Sequence, residues 1–151
     1  MSPIFYDYDF SITCIDTMYV QAGYAACYLM IHNDRAAFID TGTGNTVPYL
    51  LEILKLKDIP VDAVEYVIPT HVHLDHAGGA GLLMSKLPNA NLVIHPRGAR
   101  HMIDPEKLIA GATAVYGAEK FKQSFGEVKP IDEKRVIIVL CKETSLKNGI
   151  I

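Results

Sequence analysis

The chain is short of cysteine, of concentrated positive charge and of long apolar runs, and each shortage removes a class of function. Cys14, Cys27 and Cys141 are odd in number and widely spaced. No Cys-x-x-Cys pair is present to hold a structural zinc or to run disulfide exchange. All three read as free thiols, and Cys27, between Ala26 and Tyr28 in a strand-like run, as a small buried hydrophobe. Lys and Arg total 14 against 17 Asp and Glu, so the net charge is −3. With no basic track, nucleic acid is not an expected partner. No apolar stretch reaches membrane-spanning length, and the opening Met1-Ser2-Pro3-Ile4-Phe5-Tyr6-Asp7 has neither the basic start nor the apolar core of a secretory signal. The expectation is a cytoplasmic protein with no membrane partner.

Two further absences matter. Asp40-Thr41-Gly42 is the tripeptide of aspartic proteases, but that chemistry needs two such carboxylates sharing a proton, and the chain has one copy. Gly78-Gly79-Ala80-Gly81 lacks the lysine and the spacing of a phosphate-cradling loop. Close packing of a helix start against the preceding loop is the expected purpose of those glycines.

What is present supports a layered α/β domain. With 151 residues, half of them apolar, the chain can bury a core and reads as a single domain spanning 1–151. Short β-like runs fill Tyr6 to Asp40, and Ala26 to Ile31 and Ala36 to Ile39 are joined across Asn33-Asp34 as a hairpin. Val47, Leu50, Leu51 and Leu54 recur at helical spacing, with Asn45 or Thr46 placed to cap and Pro48 in the first turn. The chain returns as a strand ending at Ile68 and continues, after a loop, as a short helix through Leu82, Leu83 and Leu87. Asn91 to His95 reads as a strand. Asp104-Pro105-Glu106 opens a helix with Leu108, Ile109, Ala112 and Val115 on its apolar face, and Val136 to Leu140 reads as a buried strand. Lys142 to Gly149 is polar turn material.

The loop after Ile68 carries the chemistry. Thr70-His71-Val72-His73-Leu74-Asp75-His76 places three imidazoles and one carboxylate within a few positions. Outside a metal site such crowding is hard to justify, because protonated histidines repel and buried neutral ones need partners. His71 and His73 are two apart, so in extended backbone they project to one side and can chelate one ion. Asp75 and His76 follow where the chain bends into the helix and can reach a second. Imidazole and carboxylate without thiolate suit Zn, Fe, Mn or Co and discriminate little among them. His32 reads as a solvated turn histidine. His95 and His101 are open to a ligand role but read first as surface histidines, and Arg97 and Arg100 could meet an anionic substrate.

The run His71-Val72-His73-Leu74-Asp75-His76 resembles the His-x-His-x-Asp-His signature of the metallo-β-lactamase fold superfamily. Phe38-Ile39-Asp40-Thr41-Gly42 is similar to that superfamily's upstream aspartate at a strand end. The resemblance implies the N-terminal half of an αββα four-layer sandwich, with a mixed sheet and flanking helices. It implies one or two divalent ions, zinc first, with His71 and His73 binding one and Asp75 and His76 the other. Asp40 would orient a ligand by accepting a ring proton. A metal-bound hydroxide would attack an ester, thioester or lactone-type carbonyl of a small-molecule substrate, with Asp75 able to take a proton from the water. His73 stands where the oxygen-reducing di-iron branch carries glutamate, and no export signal of the secreted lactamases is found. A glyoxalase-II-like hydrolase is the leading specific reading.

Complete members run to roughly 200–250 residues and supply a further histidine segment, a bridging aspartate and a last histidine. Nothing after His76 resembles these, so the domain reads as C-terminally truncated. An exposed apolar sheet face then favours a homo-oligomer, or a second chain supplying the missing half. Two functions stay open: a metal-dependent hydrolase, and a catalytically silent metal-binding remnant or interaction module.

Overall fold

Asn33 and Asp34 both take left-handed backbone, with φ of 48° and 60°, the conformation that a two-residue hairpin turn demands and that these residue types tolerate. They join β3 (Ala26–His32) to β4 (Arg35–Ile39), whose register runs from His32 opposite Arg35 to Tyr28 opposite Ile39. With β1 (Phe5–Tyr8) and β2 (Ile12–Asp16) they form an antiparallel meander. The computed structural model describes residues 2–140. Cys141 and the polar turn material at 142–149 lie outside the described residues.

From β4 onward the sheet turns parallel, and each parallel step needs a crossover. Helix α1 (Val47–Leu56) carries the first, to β5 (Val64–Ile68). The histidine loop, α2 (Leu74–Ala77) and α3 (Ala80–Met84) lead to β6 (Asn91–Ile94). Helices α4 (Pro96–Ile103), α5 (Glu106–Tyr116) and α6 (Ala118–Phe125) precede β7 (Val136–Ile138). The result is one mixed seven-stranded sheet whose spatial order follows chain order.

One face holds the main core. Phe38, Val67 and Leu92 lie side by side across β4, β5 and β6. They pack with Leu50, Ile53 and Leu54 of α1, Leu83 and Met84 of α3, and Ala99 and Met102 of α4. The opposite face carries Ala37, Tyr66 and Val93 with Ile68, Ile137 and Val139, a cluster built from β-strands and the residue after β7, with no helix contributing among the described residues. Along the meander that face continues through Tyr28 and Tyr6, in register through Cys14, both exposed.

Four expectations need correction. The helix through Leu82, Leu83 and Leu87 is two short pieces, α2 and α3, broken at Gly78-Gly79, and Leu87 is buried in the turn beyond α3. Thr46 sits at the start of α1 without capping it: its hydroxyl donates to Thr17 O at 2.9 Å and accepts from Thr43 N at 3.1 Å. Asn45 instead donates to Gln123 O at 2.9 Å, tying α1's approach to α6. Val136 to Leu140 is not a buried strand; β7 is short, half-buried at the sheet edge, with Ile138 and Leu140 exposed, because an apolar β-branched run does not reveal how many of its faces are covered. β7 pairs with β6, and the neighbouring Arg135 adds an anchor, its guanidinium donating to Met84 O, Leu87 O and Ala90 O at 2.5–3.0 Å. These carbonyls lie at and beyond the end of α3, where Met84 O and Leu87 O otherwise accept only the long turn bonds from Leu87 N at 3.2 Å and Ala90 N at 3.4 Å.

Candidate metal-binding site

Strands β4 and β5 are parallel neighbours with Ile39 opposite Ile68, so the loops leaving them meet at one end of the sheet, where open α/β sheets place their ligands. Asp40 leaves β4 with a left-handed φ of 58°, a costly conformation for a side chain other than glycine and one that surrounding bonds must hold. Its N–H donates to Ile68 O at 3.1 Å. Thr41 N donates to His76 O at 2.7 Å and Gly79 N to Gly42 O at 2.9 Å, which zips the two loops together. Gly79 is required there: a Cβ would lie 2.6 Å from Thr43 O and 3.1 Å from Thr41 O. Gly81 packs against Lys129 O in the same way, so these two glycines serve close packing, but against the loop after β4 and Lys129 rather than the preceding histidine loop.

The Asp40 carboxylate is buried, 7% exposed. It accepts from Thr70 N at 2.7 Å, from Thr70 Oγ1 at 3.0 Å, and from His76 Nδ1 at 2.9 Å. A carboxylate oxygen accepts, so His76 carries its proton on Nδ1 and presents Nε2 on the side of Asp75. Thr70 has one hydroxyl proton, and the carboxylate takes it. The hydroxyl oxygen, 3.0 Å from His71 Nδ1, therefore accepts from that nitrogen, and His71 too presents Nε2. One buried acid sets the tautomer of two imidazoles, the second through a threonine.

The ring centroid of His71 lies 4.2 Å from that of His76 and 4.8 Å from that of His73. Asp75 Oδ2 is 3.5 Å from His76 Nε2. The four residues singled out from the sequence are thus brought together, with Asp40 behind them. Among the described residues, however, no group of three or more His, Cys, Asp or Glu is placed to hold a metal ion. The donor chemistry fits a divalent ion; a three-donor arrangement is not formed. His95 and His101 have other partners. His95 Nδ1 accepts from Arg97 N at 3.2 Å and caps α4, and His101 Nε2 accepts from Arg100 Nε at 3.4 Å. His32 closes β3 in the exposed position expected of it.

Beside the loop opens a cleft of about 530 Å³ with His73 and Asp75 at one end. Its walls include Tyr19, Tyr24, Tyr116 and Phe125, with Lys107 on α5. Burial, and then the Asp75 charge, push the Tyr19 phenol above its ordinary pKa. None of these wall residues stood out in the sequence. Tyr19 and Tyr24 sit in an irregular loop, and α6 has only Phe121 and Phe125 as its buried positions, too few to announce a helix.

The metallo-beta-lactamase superfamily model matches residues 20–144. The chain belongs to the metallo-beta-lactamase superfamily. Among solved structures it is similar to MEM-A1, a subclass B3 metallo-beta-lactamase from a soil metagenome library, at 17% identity and a TM-score of 0.65, covering 97% of this chain and 49% of that one. It is similar to the metallo-beta-lactamase SMB-1 bound to 2-mercaptoethanesulfonate at 18% identity and a TM-score of 0.65, covering 94% and 49%. For BJP-1, a subclass B3 enzyme of Bradyrhizobium japonicum, the values are 20%, 0.55, 68% and 37%. At these identities the likeness shows the fold. The chain spans about half the length of the first of these structures, so its mixed sheet with flanking helices matches half of the superfamily fold. No curated protein matches the chain. Among the described residues, no helix is long and apolar enough to cross a membrane. Superfamily members typically bind zinc.

Proposed function

We propose that the chain carries the metal-ligand loop of a zinc-dependent hydrolase acting on an ester, thioester or lactone-type carbonyl of a small molecule. The observation that supports this reading is the bonding of Asp40 to Thr70 and His76, which fixes both His71 and His76, the latter with Nε2 beside Asp75, in the tautomer a metal ligand needs. His71 and His73 would hold one ion, and Asp75 and His76 a second. When bound, a divalent ion there supplies a water acidic enough to attack at neutral pH and a charge to offset the developing oxyanion.

The chain's own residues do the rest. Asp40 and Thr70 keep the imidazoles oriented. Asp75, half-buried in the lining of the cleft, would accept a proton as water adds to the carbonyl carbon. The bond to the leaving oxygen or sulfur then breaks, and the departing alcohol or thiol takes up a proton. The fold does not choose among these substrates.

A second reading has its own support: with no three donors converging among the described residues, the chain would bind metal without turning over substrate. Elemental analysis after zinc loading, followed by assay on a simple thioester and an aryl ester, separates the two. Hydrolysis that follows metal content and disappears in His71→Ala supports the hydrolase. Stoichiometric zinc without hydrolysis supports the silent metal-binding module, and protein that holds no zinc overturns both.

A further inference from the structure

Gly111 lies in the interior of α5, lines the cleft, and has no packing reason to be glycine: a Cβ there would meet nothing within 4 Å. Its φ is not in the left-handed region either. Glycine inside a helix is unfavourable relative to alanine, so the helix bears a cost at the one wall position where a side chain would project into open cleft space. Four residues earlier, one turn away on the same helix, Lys107 lines the same cleft and makes no ion pair among the described residues.

Aromatic rings line the cleft. Tyr19 stacks on Phe125 at 5.8 Å and meets Tyr24 edge-on at 6.0 Å, and Tyr116 meets Phe125 edge-on at 5.6 Å. The rings touch in one chain, Tyr24–Tyr19–Phe125–Tyr116, that runs from the β2–β3 loop to the α5–α6 hairpin and makes a continuous aromatic wall on which a planar ring can lie. Both signs of charge line the cleft, the Asp75 carboxylate from the histidine loop and the Lys107 ammonium from α5.

Building on the hydrolase reading, we infer that this cleft selects substrates bearing an aromatic ring and a carboxylate, the ring laid on the aromatic wall over Gly111 and the carboxylate paired with Lys107. That orientation keeps the substrate's own anion away from Asp75 and leaves a neutral ester or thioester carbonyl directed toward the histidines.

The test uses the whole chain stripped of metal, so that no ion can bind the probe's carboxylate. Amide NMR shifts are followed on titration with 3-phenylpropanoate, 3-phenylpropan-1-ol and propanoate. The expected result is shifts at Lys107 and Gly111, with 3-phenylpropanoate binding at least tenfold more tightly than propanoate. Lys107→Met should weaken 3-phenylpropanoate about two- to fivefold and leave the alcohol unchanged, consistent with loss of one exposed charge contact. Gly111→Leu should abolish binding of both while melting no lower than the parent. Equal binding of propanoate, or binding that survives Gly111→Leu, would overturn the inference. His71→Ala separates the two proposals: it should remove hydrolysis and leave probe binding intact. Hydrolysis indifferent to the cleft substitutions sinks only the substrate assignment, whereas binding without hydrolysis in any loaded sample sinks only the hydrolase.

Discussion

Thr70 Oγ1 lies 3.0 Å from each carboxylate oxygen of Asp40, and this bond decides where the proton on His71 sits. Thr70→Val keeps the shape and removes the relay, so His71 loses the partner that holds its Nδ1 proton. Zinc affinity should fall about 10- to 100-fold, measured by isothermal titration. Nitrogen-15 imidazole shifts should report a mixed tautomer at His71 and an unchanged one at His76. An unchanged His71 tautomer would show that the hydroxyl is idle.

Asp40→Asn isolates the charge. Asparagine tolerates left-handed backbone, so the turn survives, but its amide nitrogen must face donors that now meet one acceptor oxygen. Stability should drop by about 1–3 kcal/mol, read from urea unfolding, and His76 should lose its fixed Nδ1–H tautomer. A variant as stable as the parent would mean the network is not strained by the loss.

Gly79 and Gly111 make a matched pair. Gly79→Ala drives a methyl against Thr43 O and Thr41 O and should cost about 1–3 kcal/mol as the loops separate. Gly111→Ala meets nothing and should stabilise by about 0.4–1 kcal/mol. Thermal melts of the two variants should move in opposite directions.

Helix α5 has no fully buried residue, and its hairpin with α6 rests on a small cluster of Leu74, Phe121 and Phe125. Amides of α5 should therefore exchange with solvent well before those of β3, β4 and β5. Phe125→Ala should speed exchange in α5 and α6 and leave the sheet protected. Uniform exchange across both regions would show that the hairpin does not open separately.

Asp7 supplies a pH test. A hydrogen bond from Lys57, and then one from Thr13, hold its carboxyl below the usual value of 3.8. A depressed carboxylate adds stability above its unfolded pKa and loses it as pH falls through the folded one. Lys57→Met should lower the melting temperature by about 1–3 °C at pH 7, in keeping with a pair whose carboxylate is exposed. The gap should close as pH falls below 3.8 and through the lowered folded value.

The hairpin at Asn33-Asp34, the spacing of α1's apolar face and the histidine loop were legible because each is a local pattern. Asp40 was legible as a companion of that loop only through family resemblance, since nothing local says that the end of β4 lies beside the end of β5. Arg135 and Gly79 were opaque in a different way. Arg135 serves carbonyls some fifty residues away, and Gly79 is demanded by the backbone of Thr43. The cleft was the least visible of all, because its walls come from a loop and from two helices with few buried side chains, and only their assembly makes a surface. Val136 to Leu140 shows the converse error, in which a strong local pattern was right about conformation and wrong about burial.

The agreement between strand order and chain order bears on how the domain is made. Each strand joins the edge left by the one before it, so a polypeptide growing from its N-terminus never has to wait for a distant segment before it can pair. The antiparallel meander is complete by Ile39, and Asp40, at its last edge, takes its final bonds as Ile68, Thr70 and His76 arrive. The histidine loop thus docks on an edge already formed, and the order of synthesis and the order of the sheet follow the same path.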